Sequence, residues 1–180
     1  MRIKKDDSLA VIIDMQKKLY PHIFENEKLT SNTLKLIKGL KALDIETEVT
    51  EQYSKGLGST IEPIKDVLEK FSHFEKMTFS CCGVSSFNEA LKNSGKKNII
   101  IAGIESHVCV LQTVLDLLDN NYQPVFIEDC ISSRNPNDKR IAVERMREEG
   151  SIVSTYESIL FELCEVSGNE TFKAISKIVK

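Results

Sequence analysis

The chain has 180 residues with a formal net charge of −3 at pH 7, and that length suits a single domain, residues 1–180, with a sizeable core. The acidic balance argues against nucleic-acid or anionic-membrane partners, and no stretch approaches the roughly 20 apolar residues that span a bilayer. Five cysteines without a disulfide-framework spacing, and a charged start that does not look like a signal peptide, point to a reducing, cytoplasmic setting.

Leu9 to Ile13 is an unbroken apolar run, expected as a strand covered on both faces and ended by Asp14. A loop through Pro21 leads to a helix over Leu29–Leu43, with Leu36, Ile37 and Leu40 inward. Glu46–Thr50 is a more polar strand, expected nearer an edge. A short helix over Pro63–Phe71 follows, then a strand near Phe74–Met77. Ser85 or Ser86 is expected to cap a helix that stops at Gly95. The apolar run Asn98–Ala102 is the central strand, and Ser106 is the expected N-cap of the helix after it. Pro124–Ile127 is another strand, with Glu128, Asp129 and Cys130 at its end. Asn135-Pro136 opens a helix with Ile141, Val143 and Met146 inside, stopped by Gly150. Ser151–Thr155 is the last strand, and helices complete the chain. Alternation of this kind predicts a parallel sheet wrapped on both sides.

In such sheets ligands bind beyond the carboxyl ends of the strands, and Asp14, Lys76, the Gly103–Cys109 turn and Asp129 all fall at expected strand ends. Cys109 in a first helical turn would have its pKa drawn from about 8.5 toward roughly 3.5–7.5. The free N–H groups of the same turn would suit an oxyanion. A lysine beside the thiol lowers its pKa, and an aspartate accepts its proton. Taken singly, Asp14 also reads as a turn cap, Lys76 as a surface charge and Cys109 as a small apolar residue. His107 is a poor base for Cys109, because i,i+2 side chains on a helix do not face each other. The three histidines lack zinc-site spacing, and neither a dinucleotide fingerprint nor a P-loop is present. Neither a metal nor another cofactor is expected.

The pieces Leu9-Ala10-Val11-Ile12-Ile13-Asp14-Met15-Gln16, Lys76 with Phe79-Ser80, Ala102-Gly103-Ile104-Glu105-Ser106-His107-Val108-Cys109-Val110, Glu128–Arg134 and Tyr156–Phe161 together resemble the isochorismatase-like cysteine hydrolases. They run in the family's order over nearly the whole chain. The resemblance implies an α/β fold, a three-layer α-β-α sandwich whose six-stranded parallel sheet has a Rossmann-like order. It implies a triad of Cys109 as nucleophile, Asp14 as general base and Lys76 as supporting cation. It further implies a cis peptide bond between Ile104 and Glu105, and an oxyanion hole from the N–H groups of Glu105 and Cys109.

Nicotinamidases carry an aspartate-and-histidine metal site after the second strand, whereas the run here, Thr50 to Gly58, has no histidine. That places the chain nearer the uncharacterised branch that holds the isochorismatase-domain-containing proteins. A small-molecule substrate is expected near Gln16, Tyr20, Phe24, Gln52 and Phe79, although phenylalanines such as Phe24 and Phe79 more often belong to the core, and residues such as Tyr20 and Gln52 to the loop surface. Arg134 is expected to anchor its loop or a subunit contact. Relatives associate as dimers or larger assemblies, so a homo-oligomer is expected. The leading function is hydrolysis of a small amide-like compound through a thioester. A non-catalytic binding or assembly protein and a thiol redox protein using Cys81 or Cys82 are the alternatives.

Overall fold

The computed structural model describes residues 2–68 and 70–180. Among them, β1 (Ser8–Ile13), β2 (Thr47–Gln52), β3 (Phe74–Lys76), β4 (Asn98–Ile104), β5 (Gln123–Ser132) and β6 (Ile152–Ser154) form one sheet in the order β3-β2-β1-β4-β5-β6. Every neighbouring pair is parallel. The helices are α1 (Asn26–Ala42), α2 (Ser54–Leu57), α3 (Glu62–Val67), α4 (Ser85–Ser94), α5 (Leu111–Asp119), α6 (Pro136–Glu148), α7 (Tyr156–Cys164) and α8 (Glu170–Val179).

Strand residues alternate between two cores, as a period of two requires. Ala10, Ile12, Ile100, Ala102, Val125 and Ile127 pack with α1, α7 and α8. Leu9, Val11, Ile13, Ile99, Ile101 and Phe126 pack with α4, α5 and α6. Both faces of the central strands β1 and β4 are therefore dry, which is why they read as unbroken apolar runs. The chain fills one side of β1 with β2 and β3, then crosses to fill the other with β4, β5 and β6. The strand order reverses between β1 and β4, and the crevice lies beyond their carboxyl ends.

The strand expected at Glu46–Thr50 is β2 (Thr47–Gln52), near the edge as its polarity suggests, with β3 outside it. Several local expectations are corrected. The helix expected over Pro63–Phe71 ends at Val67, with Glu69 outside the described residues. Val84 takes the N-cap of α4, so neither Ser85 nor Ser86 caps it. Ile141 is 50% exposed, because the inward stripe of α6 is Ala142 and Met146. β5 does not stop at Ile127: the ladder with β4 shifts register between Ile101 and Gly103, and Ile131 and Ser132 rejoin it. Asp129 therefore lies within β5, and its carboxylate accepts the Tyr156 N–H at the start of α7 (2.9 Å).

Candidate active site

Three strand ends deliver the polar groups of the site. Asp14 follows β1 with a left-handed backbone (φ 50°), a conformation that aspartate tolerates better than most residues. Its carboxylate is fully buried. Lys76, the last residue of β3, donates from Nζ to Asp14 Oδ2 at 2.6 Å, and neither side chain is exposed. The same ammonium reaches Gln52 Oε1 (2.7 Å), Phe79 O (2.9 Å) and Thr78 O (3.3 Å). Thr50 Oγ1, from β2, donates to the other oxygen, Asp14 Oδ1, at 2.8 Å. A buried pair of this kind is held by its surrounding hydrogen bonds as much as by its mutual attraction.

Beyond β4 the Ile104–Glu105 peptide bond is cis. Glu105 is extended, and its carbonyl accepts the N–H groups of Val108 and Val110. The turn that follows, Ser106–Val110, is π-helical and carries Cys109, which is 6% exposed. Ser106 is thus not the N-cap: Glu105 holds that place, and the Ser106 hydroxyl is buried with no partner among the described residues. The Glu105 carboxylate accepts from both the backbone N and the Nε of Arg134 (3.0 Å each), so Arg134 anchors its loop to this turn. His107 faces away, with Nδ1 2.9 Å from Ser133 Oγ and Nε2 4.0 Å from Asp138.

The electrostatics reverse one expectation. Burial, reinforced by the Asp14 charge and a hydrogen bond to it, pushes the Cys109 thiol up; Lys76 opposes this and does not prevail. The helix-end depression expected for Cys109 is opposed by the wide turn, which buries the sulfur beside a carboxylate. Burial and the neighbouring carboxylate thus favour the thiol form of Cys109 over the thiolate. Burial works against the charge of Lys76, but the Asp14 carboxylate opposes it, with Cys109 and Cys81 adding to this only once ionised, and the ammonium holds its proton more tightly than an ordinary lysine. Burial also pushes Cys81 up to about 11 and Cys82 to about 12.

The expected substrate contacts separate on inspection. Gln16 is fully buried and its amide is consumed by main chain: Nε2 donates to Gln52 O (3.0 Å) and Gly58 O (2.6 Å), and Oε1 accepts from Gln52 N (2.7 Å). It pins the β2 end and has no group left for a substrate. Gln52 is committed to Lys76 through Oε1 and to Met77 O through Nε2. Tyr20 packs half-buried against the α1-side core. Phe24 lines a separate cavity of about 220 Å³ with Leu29, Asp129 and Ile131, and Asp14, Lys76 and Cys109 do not line it. Phe79 is 52% exposed, with its carbonyl on Lys76, and stands at the site. The sequence pattern passed over Thr50 as a partner of Asp14; its signal was a buried polar residue in register with Ile13, the residue before Asp14. Among the described residues no group of three or more His, Cys, Asp and Glu side chains is placed to hold a metal ion.

The isochorismatase domain matches residues 8–158, which takes in all three strand ends. The chain belongs to the isochorismatase family. Isochorismatase family protein 1B of Dictyostelium discoideum is 37% identical, over 99% of this chain and 89% of its own length. The secreted isochorismatase effector Isc1 of Phytophthora sojae is 34% identical, over 99% and 87%. Among solved structures, the MAR1 ribonuclease of Caenorhabditis elegans superposes with a TM-score of 0.94 at 34% identity, covering 99% of this chain and 92% of that one. The YcaC gene product of Escherichia coli, described as an octameric hydrolase of unknown specificity, gives a TM-score of 0.93 at 22% identity, covering 99% and 89%; this likeness speaks for the fold. Membership of the isochorismatase family supports a hydrolase-like role for the chain.

Proposed function

We propose that the protein is a cysteine-dependent hydrolase of small, non-peptide amides or related carbonyl compounds, working through Cys109, Asp14 and Lys76. The observation that carries this is the fully buried 2.6 Å Lys76–Asp14 pair, in electrostatic contact with the Cys109 thiol at the switch point of the sheet. Asp14 takes the proton from the Cys109 thiol as sulfur bonds to the substrate carbonyl carbon. Lys76 stabilises the charge that forms on sulfur. The N–H groups of Glu105 and Cys109 receive the oxyanion. Asp14 then gives its proton to the amine as the C–N bond breaks. Water, deprotonated by Asp14, cleaves the thioester; the acid leaves, and the proton returns to sulfur. Because burial favours the thiol form of Cys109, the proton relay through Asp14 is central to this mechanism.

Phe79 is the one expected pocket residue retained for substrate contact. RNA is not assigned as the substrate despite the name of the C. elegans relative, since a net charge of −3 offers little attraction for phosphates. The proposal includes a cytoplasmic setting, which five unpaired cysteines favour although the Phytophthora relative is secreted, and assembly with copies of itself, which the octameric neighbour supports. The deciding experiment offers nicotinamide, carbamoyl amines, simple amides, isochorismate and RNA to the wild type and to Cys109→Ala. An amide should be hydrolysed at a rate that falls at least about 10³-fold in the variant. Cleavage of RNA alone, or full amide hydrolysis by Cys109→Ala, would overturn the assignment.

A further inference from the structure

The proposed mechanism leaves one fully buried thiol unused. Cys81 lies in the 3-10 turn Cys81–Gly83, and its Sγ donates to Thr50 Oγ1 at 3.8 Å. Thr50 in turn donates to Asp14 Oδ1 at 2.8 Å. At the other end, the Cys81 backbone N–H donates to Thr113 Oγ1 (3.0 Å), and that hydroxyl donates to the carbonyl of Cys109 (2.7 Å). We infer that Thr113, Cys81 and Thr50 form a hydrogen-bonded bracket that fixes the base relative to the nucleophile, with Thr50 as a positioning residue for Asp14.

The direction of each bond is dictated by chemistry. A hydroxyl has one proton, and an ionised carboxylate only accepts. Because Cys81 donates to Thr50, the Thr50 proton stays committed to Asp14. Lys76 holds Oδ2 and Thr50 holds Oδ1, so the carboxylate cannot rotate away from the thiol without breaking a buried bond. Cys81 is then a weak structural donor, neither a second nucleophile nor a redox partner. The titratable groups facing Asp14 are Lys76 from β3, Cys81 from its 3-10 turn and Cys109 from the π turn.

This inference rests on the cysteine-hydrolase reading, and p-nitrophenyl acetate serves as a probe that separates the two. The wild type should give a burst of nitrophenolate with acetyl on Cys109 by mass spectrometry, followed by a slower steady state in which Asp14 activates water. Thr50→Val should lower that steady state at pH 7 by about tenfold or more, the effect of losing a hydrogen bond to a charged group. Its pH profile should move to higher pH, because a buried carboxylate short of a donor holds a proton until the medium is more alkaline. Thr50→Ser should recover most of the loss. A Thr50→Val profile matching the wild type, or Ser and Val variants equally impaired, overturns the bracket while the hydrolase reading stands. A wild type without a burst, or a burst surviving in Cys109→Ala, overturns the hydrolase reading and the bracket's purpose with it.

Discussion

Lys76 keeps its charge with no exposed side-chain surface because four oxygens surround its nitrogen. Cys109, beside it, keeps its proton for the complementary reason: a buried sulfur next to a carboxylate gains little by ionising. Both groups bind a proton more tightly in the folded state than an exposed thiol near 9.0 or an exposed lysine near 10.5. By linkage, stability falls wherever the native state holds more protons than the unfolded one as pH rises. Their contribution is intact below pH 9 and declines first through the ordinary thiol range, then through the lysine range. Urea midpoints measured from pH 7 to 11 should fall above pH 9, less steeply between 9 and 10.5 in Cys109→Ala. A flat midpoint across that range would contradict the buried, protonated thiol.

At the scale of elements, Gly103 shows why β4 can approach β1 so closely. Its φ is 121°, and a Cβ there would run into the backbone of Ile13. Gly103→Ala should destabilise the fold by about 2–5 kcal/mol, from backbone strain and overpacking combined, with a matching drop in the thermal midpoint. A variant as stable as the wild type would mean that β1 and β4 separate there at little cost. Leu9–Ile13 and Ile99–Ala102 were legible as strands because both of their faces are dry. The continuation of β5 was not, because Glu128 and Asp129 interrupt the apolar pattern and only the register shift against β4 returns the chain to the sheet. The π turn was equally hidden: Ser106 has the chemistry of an N-cap, but the carbonyl of Glu105 decides the turn.

At the scale of the molecule, Met77 is exposed beside the Lys76 end of β3, and self-assembly is the part of the proposal that a mass measurement tests. Light scattering coupled to size exclusion should give a mass that is a multiple of 20.3 kDa, and a mass equal to one chain would remove self-assembly from the proposal. The sequence by itself determined the layered α/β class and the candidates Asp14 and Cys109, since apolar runs ending in polar residues mark where a parallel sheet stops and chemistry can begin, while Lys76, in the polar run Phe74-Glu75-Lys76, gained its role from the family resemblance. Tertiary structure alone decided the burial of Cys109 beside a carboxylate, the consumption of Gln16 and Gln52 inside the scaffold, and the place of Thr50 on Asp14. Those are properties of distance and burial between residues far apart in the chain, and local pattern carries no record of them.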